Sequence, residues 1–407
     1  MLRAMLSILP VVSPITPPDA VASVVAGVGA RLDACGVPHR LSAAGEPYDA
    51  LLIASGGTEH LALAALARTA GPAILLAHPE RNSLPAALEI LGALRQSGRP
   101  GWIVMVNDAP EFADAMTRLA RHLEVNRRLR AARIGRIGAP SDWLVASVPG
   151  PGAVTAAWGP ALVDVPLEEV LEAMRFGGPA EAATIRNAMV AGAESVREPS
   201  PADLDAAAAV AAALRSVVRR HRLDACAVRC FDLVVDRGTT GCVGLSWLLD
   251  EGVTAGCEGD VPATLTMLWL RLVTGEPPFM ANPQDLDPRA NTLDLAHCTV
   301  ARRLVSRYAL RSHFESSLGV GIAGTLDPGP ATLVRIGGAD LRAAFISDGE
   351  IVGGGESERR CRTQVTVRLE SPVAELLANP LGNHLVLTRG RWAAELREYH
   401  ELFVAGA

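Results

Sequence analysis

Along the first third of the chain, short apolar runs alternate with longer amphipathic segments. "MLSILPVV" precedes a helix-like stretch from Asp19 to Leu32, and "DALLIAS" leads into "GGTEHLALAALARTA". "PAILLAH" leads into "LPAALEILGALRQSG", and "GWIVMVN" into "EFADAMTRLARHLEVNRRLRAA". A short continuous apolar run bounded by turn residues reads as a strand buried on both faces, and a run with a 3.6-residue period reads as a helix that covers it. Repeated strand–loop–helix units predict a doubly wound α/β domain with a parallel sheet over residues 1–132. A second unit, 133–278, opens with "ARIGRIGAPSDWLVAS", again strand then turn. It continues through an Ala-rich helix over 201–222, with Ser200 as the cap and Pro201 in the first helical position. "DACAVRCFDLVV" reads as its next strand. The texture then changes. "ATLVRIGGADLRAAFISDGEIVGGG" holds three short runs separated by "GGAD" and "SDGE", a β-meander, and "RTQVTVRLE" alternates as a strand. The closing "RWAAELREYHELFV" is an amphipathic helix. Residues 279–407 are therefore expected to form a β-rich C-terminal domain.

Composition narrows the chemistry. The chain has 407 residues and a formal net charge of −6, which leaves no basic stripe for a general nucleic-acid binder. The Arg-rich stretch 127–136 reads as the end of a solvated helix. Lysine is absent, so every basic side chain other than His is Arg. This excludes Schiff-base catalysis and the Walker-type phosphate loop. Seven cysteines form no C-x-x-C pair and read as reduced, mostly buried thiols of a cytoplasmic protein. The N-terminal "MLRAMLSILPVVSP" reads as a first buried strand rather than a signal segment, and no apolar run reaches membrane-spanning length.

Few motifs carry chemistry. "GVGIAG" at 319–324 fits G-x-G-x-x-G, but no strand precedes it and "TLDPGP" follows it, so a dinucleotide site is not expected there. "SGGTEHL" at 55–61 and "HPERNSL" at 78–84 both follow parallel strands. They fall on the sheet edge where ligands collect and form a candidate cleft; a tight strand-to-helix turn capped by Thr58 explains the first of them equally well. A stronger set lies further on. Glu258 and Asp260 sit in "GCEGD" before a helix over 262–274, Asn282 follows it in "PFMANP", His297 ends "NTLDLAHC", and His384 opens the last strand. Carboxylate, amide oxygen and imidazole together suit a hard or borderline divalent cation such as Mn²⁺, Co²⁺ or Mg²⁺.

"CEGDVPATLTMLWLRLVTG", followed by "FMANP", "LAHC" and "LGNHLVLTRG", resembles the L-fucose isomerase / L-arabinose isomerase superfamily, especially its shorter fucose-isomerase-like members. The likeness is strongest over residues 224–400; before that it rests on the α/β pattern and on "SGGTE" and "IGAPSDWL". The resemblance implies two Rossmann-like domains and a barrel-like C-terminal domain, assembled as a trimer or hexamer. It also implies a divalent metal, typically Mn²⁺, used in aldose–ketose interconversion. Carried over position by position, Glu258 matches the first acidic metal ligand, His384 the C-terminal histidine ligand, and His297 a histidine ligand of the arabinose side. Asn383 resembles a substrate contact, and Asp232 lies at a strand end facing the sugar. Asn282 departs from the pattern, since it stands where fucose-type members carry a second acidic ligand. Asp285 and Asp287 are near enough in sequence to substitute for it.

The expected reaction moves a proton between neighbouring sugar carbons through an enediol. Glu258 is its ligand and proton carrier, Asp260 supports it catalytically, Asn282, His297 and His384 complete the metal shell, and Arg311 and His313 bind substrate oxygens. Two rival readings stand beside this one. One is a sugar-binding or regulatory homologue with a degenerate metal site, favoured by Asn282. The other is an isomerase or epimerase of an anionic sugar, which abundant Arg permits.

Overall fold

The first apolar runs form a five-stranded parallel sheet in the computed structural model, which describes residues 5–405. Its strand order is His39–Leu41, Leu6–Val11, Ala50–Ile53, Ala73–Ala77, Gly101–Met105. The inner strands are apolar on both faces because helices cover both, and Leu51, Leu52, Ile53, Leu75 and Leu76 are fully buried. The edge strand His39–Leu41 has no apolar run of its own and was not legible in the pattern. Helix Pro110–Ala131 carries Arg121 and His122, which meet Glu395 and Glu398 at 2.7 and 2.8 Å. Residues 395–407 accordingly group with the chain up to Arg128 in one compact unit.

Residues 129–394 form the second compact unit, which holds both the second expected α/β region and most of the β-rich region. Its parallel sheet runs Thr254–Gly256, Ala225–Val228, Arg133–Ile137, Ala161–Val165. Helix Pro201–His221 begins as expected. Ser200 Oγ accepts from the Asp203 amide and the Asp203 carboxylate accepts from the Ser200 amide, a reciprocal cap. Its small residues let a neighbouring helix, Cys242–Glu251, approach closely: a Cβ on Gly244 would lie 3.1 Å from the Ala211 Cα. A small third sheet joins Gly321–Thr325, Arg307–Arg311 and Ser195–Val196.

Six antiparallel strands close a barrel in the order Phe279–Asp287, Thr292–His297, Thr363–Leu369, Ala343–Gly353, Gly329–Gly337, Leu385–Arg389. The molecule is thus an α/β protein with parallel sheets and an antiparallel barrel-like sheet. Two local expectations fail. "SDGE" is no turn but the middle of strand Ala343–Gly353. Asp348 accepts from Thr332 Oγ1 and from the Trp392 and Ala393 amides, and Gly349 lets the Arg368 carbonyl approach closely. "FDLVV" is not strand but the short helix Phe231–Arg237, closed by Gly238 in the left-handed region.

Candidate functional site

The "GCEGD" turn joins strand Thr254–Gly256 to helix Val261–Thr274, and its glycines are sterically required. A Cβ on Gly256 would meet Thr264 Oγ1 at 2.1 Å, and one on Gly259 (φ +70°) would meet the Ala139 carbonyl oxygen at 2.8 Å. Between them Glu258 has φ 61°, a left-handed conformation that few non-glycine residues adopt. Asp260 then caps the helix by accepting from the Ala263 amide at 2.8 Å.

Glu258 faces a cavity of about 580 Å³ also lined by Trp143, Phe231, Asn282, Gln284, His297, His313 and Asn383. One carboxylate oxygen accepts from the Trp143 indole N–H at 2.6 Å; the other lies 3.4 Å from His384 Nε2. His384 is fully buried and its Nδ1 stands 2.9 Å from Asp260 Oδ2. A carboxylate can only accept, so the ring carries a proton on Nδ1, and Nε2 is turned toward Glu258. Among the described residues that Nε2 has no hydrogen-bond partner. Behind it, Arg335 donates to Asp260 at 3.1 Å and to Ser147 at 2.6 Å. Arg335, Asp260 and His384 are a buried, charge-linked series ending at an imidazole nitrogen that points at Glu258.

Glu258, His297 and His384 each place one ligand atom within 4.8 Å of the other two. An orphaned imidazole nitrogen backed by a carboxylate, beside a second carboxylate, is a donor set that fits a divalent cation. His297 has a constraint of its own. The Thr299 amide donates to its Nδ1 at 3.2 Å, so the neutral ring carries its proton on Nε2. Coordination through Nε2 would require that proton to move to Nδ1 and the amide contact to be given up.

The charges follow from these contacts. Burial alone would push the Glu258 carboxyl up, but the neighbouring His384 ring, the charge there and the Trp143 donor outweigh it and hold the pKa below the ordinary value. Asp260 is likewise pushed up by burial, but Arg335 and His384 bring it below the ordinary Asp value. His384 is pulled down by burial, yet its two carboxylate partners raise it overall. His297, buried and beside His384, falls to about 4 and is neutral near pH 7.

The structure brings Glu258, Asn282, His297, His313 and Asn383 to one cavity, with His384 against Glu258. Asn282 Oδ1 accepts from Asn383 at 3.3 Å. The remaining expected residues stand elsewhere. Asp260, expected in catalysis, has no exposed surface and holds His384 from behind. Asp232 is in a helical first turn, paired with Arg229 at 2.9 Å, not at a strand end. Arg311 is held by Glu198 and by Glu358, the latter at 2.9 Å, and lines a different, polar cavity. Asp285 and Asp287 are exposed and absent from the residues lining the site cavity. The loops at 55–61 and 78–84 do adjoin: the Gly56 amide donates to the Arg81 carbonyl at 2.8 Å, and His78 Nε2 donates to that of Ala54 at 3.1 Å.

Sequence reasoning missed Trp143 and Arg335, and it misread the thiols. Cys230 and Cys257 are joined as a disulfide in the cavity wall, where reduced cysteines were expected. With no short-range motif, their pairing depends on the two strand ends that the parallel sheet sets side by side.

No family model matches the chain. It is similar to a protein named sulfoquinovose isomerase from Alkalicoccus urumqiensis, 28% identical over 202 residues, which are 47% of this chain and 45% of the relative. A protein of the same name from Clostridium sp. (strain MSTE9) is 25% identical over 230 residues, 56% of this chain and 51% of the relative. One from Priestia aryabhattai is 30% identical over 87 residues, 21% of this chain and 20% of that protein. The chain spans about half the length of the first two relatives it matches. Among the described residues, no helix is long and apolar enough to cross a membrane.

Proposed function

We propose that this chain is a divalent-metal-dependent aldose–ketose isomerase that holds an open-chain sugar in the cavity of Glu258. The observation that carries the reading is the convergence of Glu258, His297 and His384, the first two lining a cavity with the side-chain amides of Asn282, Gln284 and Asn383. The relatives named sulfoquinovose isomerase support a sugar isomerase.

Glu258 and His384, with the Asn282 carbonyl oxygen and His297, would hold the cation, Mn²⁺ in the first instance. When bound, it supplies Lewis-acid polarisation of neighbouring sugar oxygens, which acidifies the C–H between them. The chain's own groups do the rest. Glu258, ionised at neutral pH and buried, takes the proton from one carbon and returns it to the next. Asp260 and Arg335 keep His384 in one tautomer and orientation. Asn383, Gln284 and His313 offer donors to sugar oxygens, and Trp143 with Phe231, perpendicular at 5.0 Å, forms an apolar wall.

An isomerase of an anionic sugar is the second reading, favoured by the names of the relatives. No Arg is among the described residues lining this cavity, so a sulfonate there would be met by neutral donors. Incubation with Mn²⁺ and a panel of neutral and sulfonated aldoses and ketoses in deuterated water, read by NMR at C1 and C2, separates the two. Exchange with at least one sugar is expected, lost in Glu258→Gln with the fold intact. Exchange retained in that variant removes Glu258 from the reaction. A protein that binds sugars without exchange and without metal is instead a binding homologue.

A further inference from the structure

Five of the seven cysteines, Cys230, Cys242, Cys257, Cys298 and Cys361, line the single cavity that contains Glu258. The disulfide among them joins two walls of it. Cys257 is bonded in the chain to Glu258, and Cys230 starts the helix that carries Phe231. The two Cα atoms are 6.1 Å apart, across strand ends that the parallel pairing of Ala225–Val228 with Thr254–Gly256 sets side by side. The Glu258 amide also points at Cys230 Sγ, 3.4 Å away. Glu258 itself holds φ 61°, a conformation that persists only where its surroundings impose it. The cross-link is one such restraint, placed one residue away.

We propose that Cys230–Cys257 is a reversible oxidation site for low-molecular-weight thiols and their disulfides, whose state sets how firmly Glu258 is seated in the cavity. In the reducing direction a small thiolate attacks one sulfur, the S–S bond breaks and a mixed disulfide forms. A second small thiol resolves it, so two thiols leave as one disulfide while the protein pair gains two electrons and two protons. The cavity is the route by which the reagent reaches the sulfurs.

The test uses the full-length protein equilibrated in glutathione buffers of stepped ratio, followed by alkylation and peptide mass spectrometry. Residues 230 and 257 are expected to pass together from alkylated to cross-linked as the buffer becomes more oxidising. Hydrogen exchange of the peptide around Glu258 and Gly259 is expected to be at least about tenfold faster in the reduced form, as local opening becomes easier. Cys257→Ser should show the reduced pattern in every buffer. The proposal falls if the pair stays alkylated throughout or cross-linked throughout, or if the Glu258 peptide exchanges equally in both forms. These readouts involve neither sugar nor metal, so they stand apart from success or failure of the isomerase reading.

Discussion

Trp143 and Asp260 set the properties of Glu258 and His384 from opposite sides, and each can be tested singly. Trp143→Phe keeps an aromatic ring but removes the N–H that holds one oxygen of Glu258. A hydrogen bond to a charged group contributes about 1.5–3 kcal/mol, so proton exchange should slow by roughly tenfold or more, with sugar KM little changed. An unaltered rate in steady-state kinetics would show that Glu258 is placed by the backbone alone. Asp260 is a matter of stability. Its carboxyl lies below the ordinary Asp value in the folded chain, so its contribution is complete above about pH 4 and is lost as pH falls from there through the folded pKa. Asp260→Asn leaves the Arg335 charge buried without a partner, which costs about 3–5 kcal/mol. Denaturation midpoints measured at neutral and acid pH should therefore drop in the variant at neutrality and converge with wild type in acid. Midpoints that stay parallel would place the acid-sensitive charge elsewhere.

The turn that presents Glu258 works because strand Thr254–Gly256 and helix Val261–Thr274 lie unusually close. Gly256→Ala forces a methyl group against Thr264; overpacking of this kind costs about 1–3 kcal/mol. In a Thr264→Ala background the same change should be milder, a coupling that a double-mutant cycle in denaturant resolves. Additive effects would mean that the helix shifts freely. The same elements explain what the sequence made legible. Apolar runs and caps announced the parallel strands and helix Pro201–His221, since both signals are local. Glu258, His297 and His384 were legible as polar residues at or just beyond strand ends, and the structure brings them together. Arg335 was not: on "ATLVRIGG" it reads as an outward polar position, and only Asp260, Ser147 and Leu381, distant in sequence, enclose it. "SDGE" failed for a related reason, as distant partners hold Asp348 within its strand, whereas "FDLVV" is a short helix ended by Gly238. Trp143 sits in an irregular loop that carries no periodicity at all.

At the scale of the molecule, Glu258, His297 and His384, the cluster found among the described residues, all lie within the compact unit 129–394. A cation bound by these residues therefore stabilises that unit specifically. Mass action sets the size: about 2.7 kcal/mol at a hundredfold excess of Mn²⁺ over its dissociation constant. Hydrogen exchange with and without Mn²⁺ should show protection around Glu258, Asn282, His297 and His384, abolished by a chelator. The sheet of Leu6–Val11 and Ala50–Ile53 should be unaffected. His297→Ala divides the two roles open to that ring. Held as the Nε2–H tautomer by the Thr299 amide, His297 would serve substrate, and its loss would raise sugar KM while leaving Mn²⁺ protection in place. As a metal ligand it would have to turn its proton toward that amide, and its loss would weaken Mn²⁺ protection directly. Protection that appears equally in both units would mean that the cation binds outside this cavity, and the isomerase reading would then lose its metal centre.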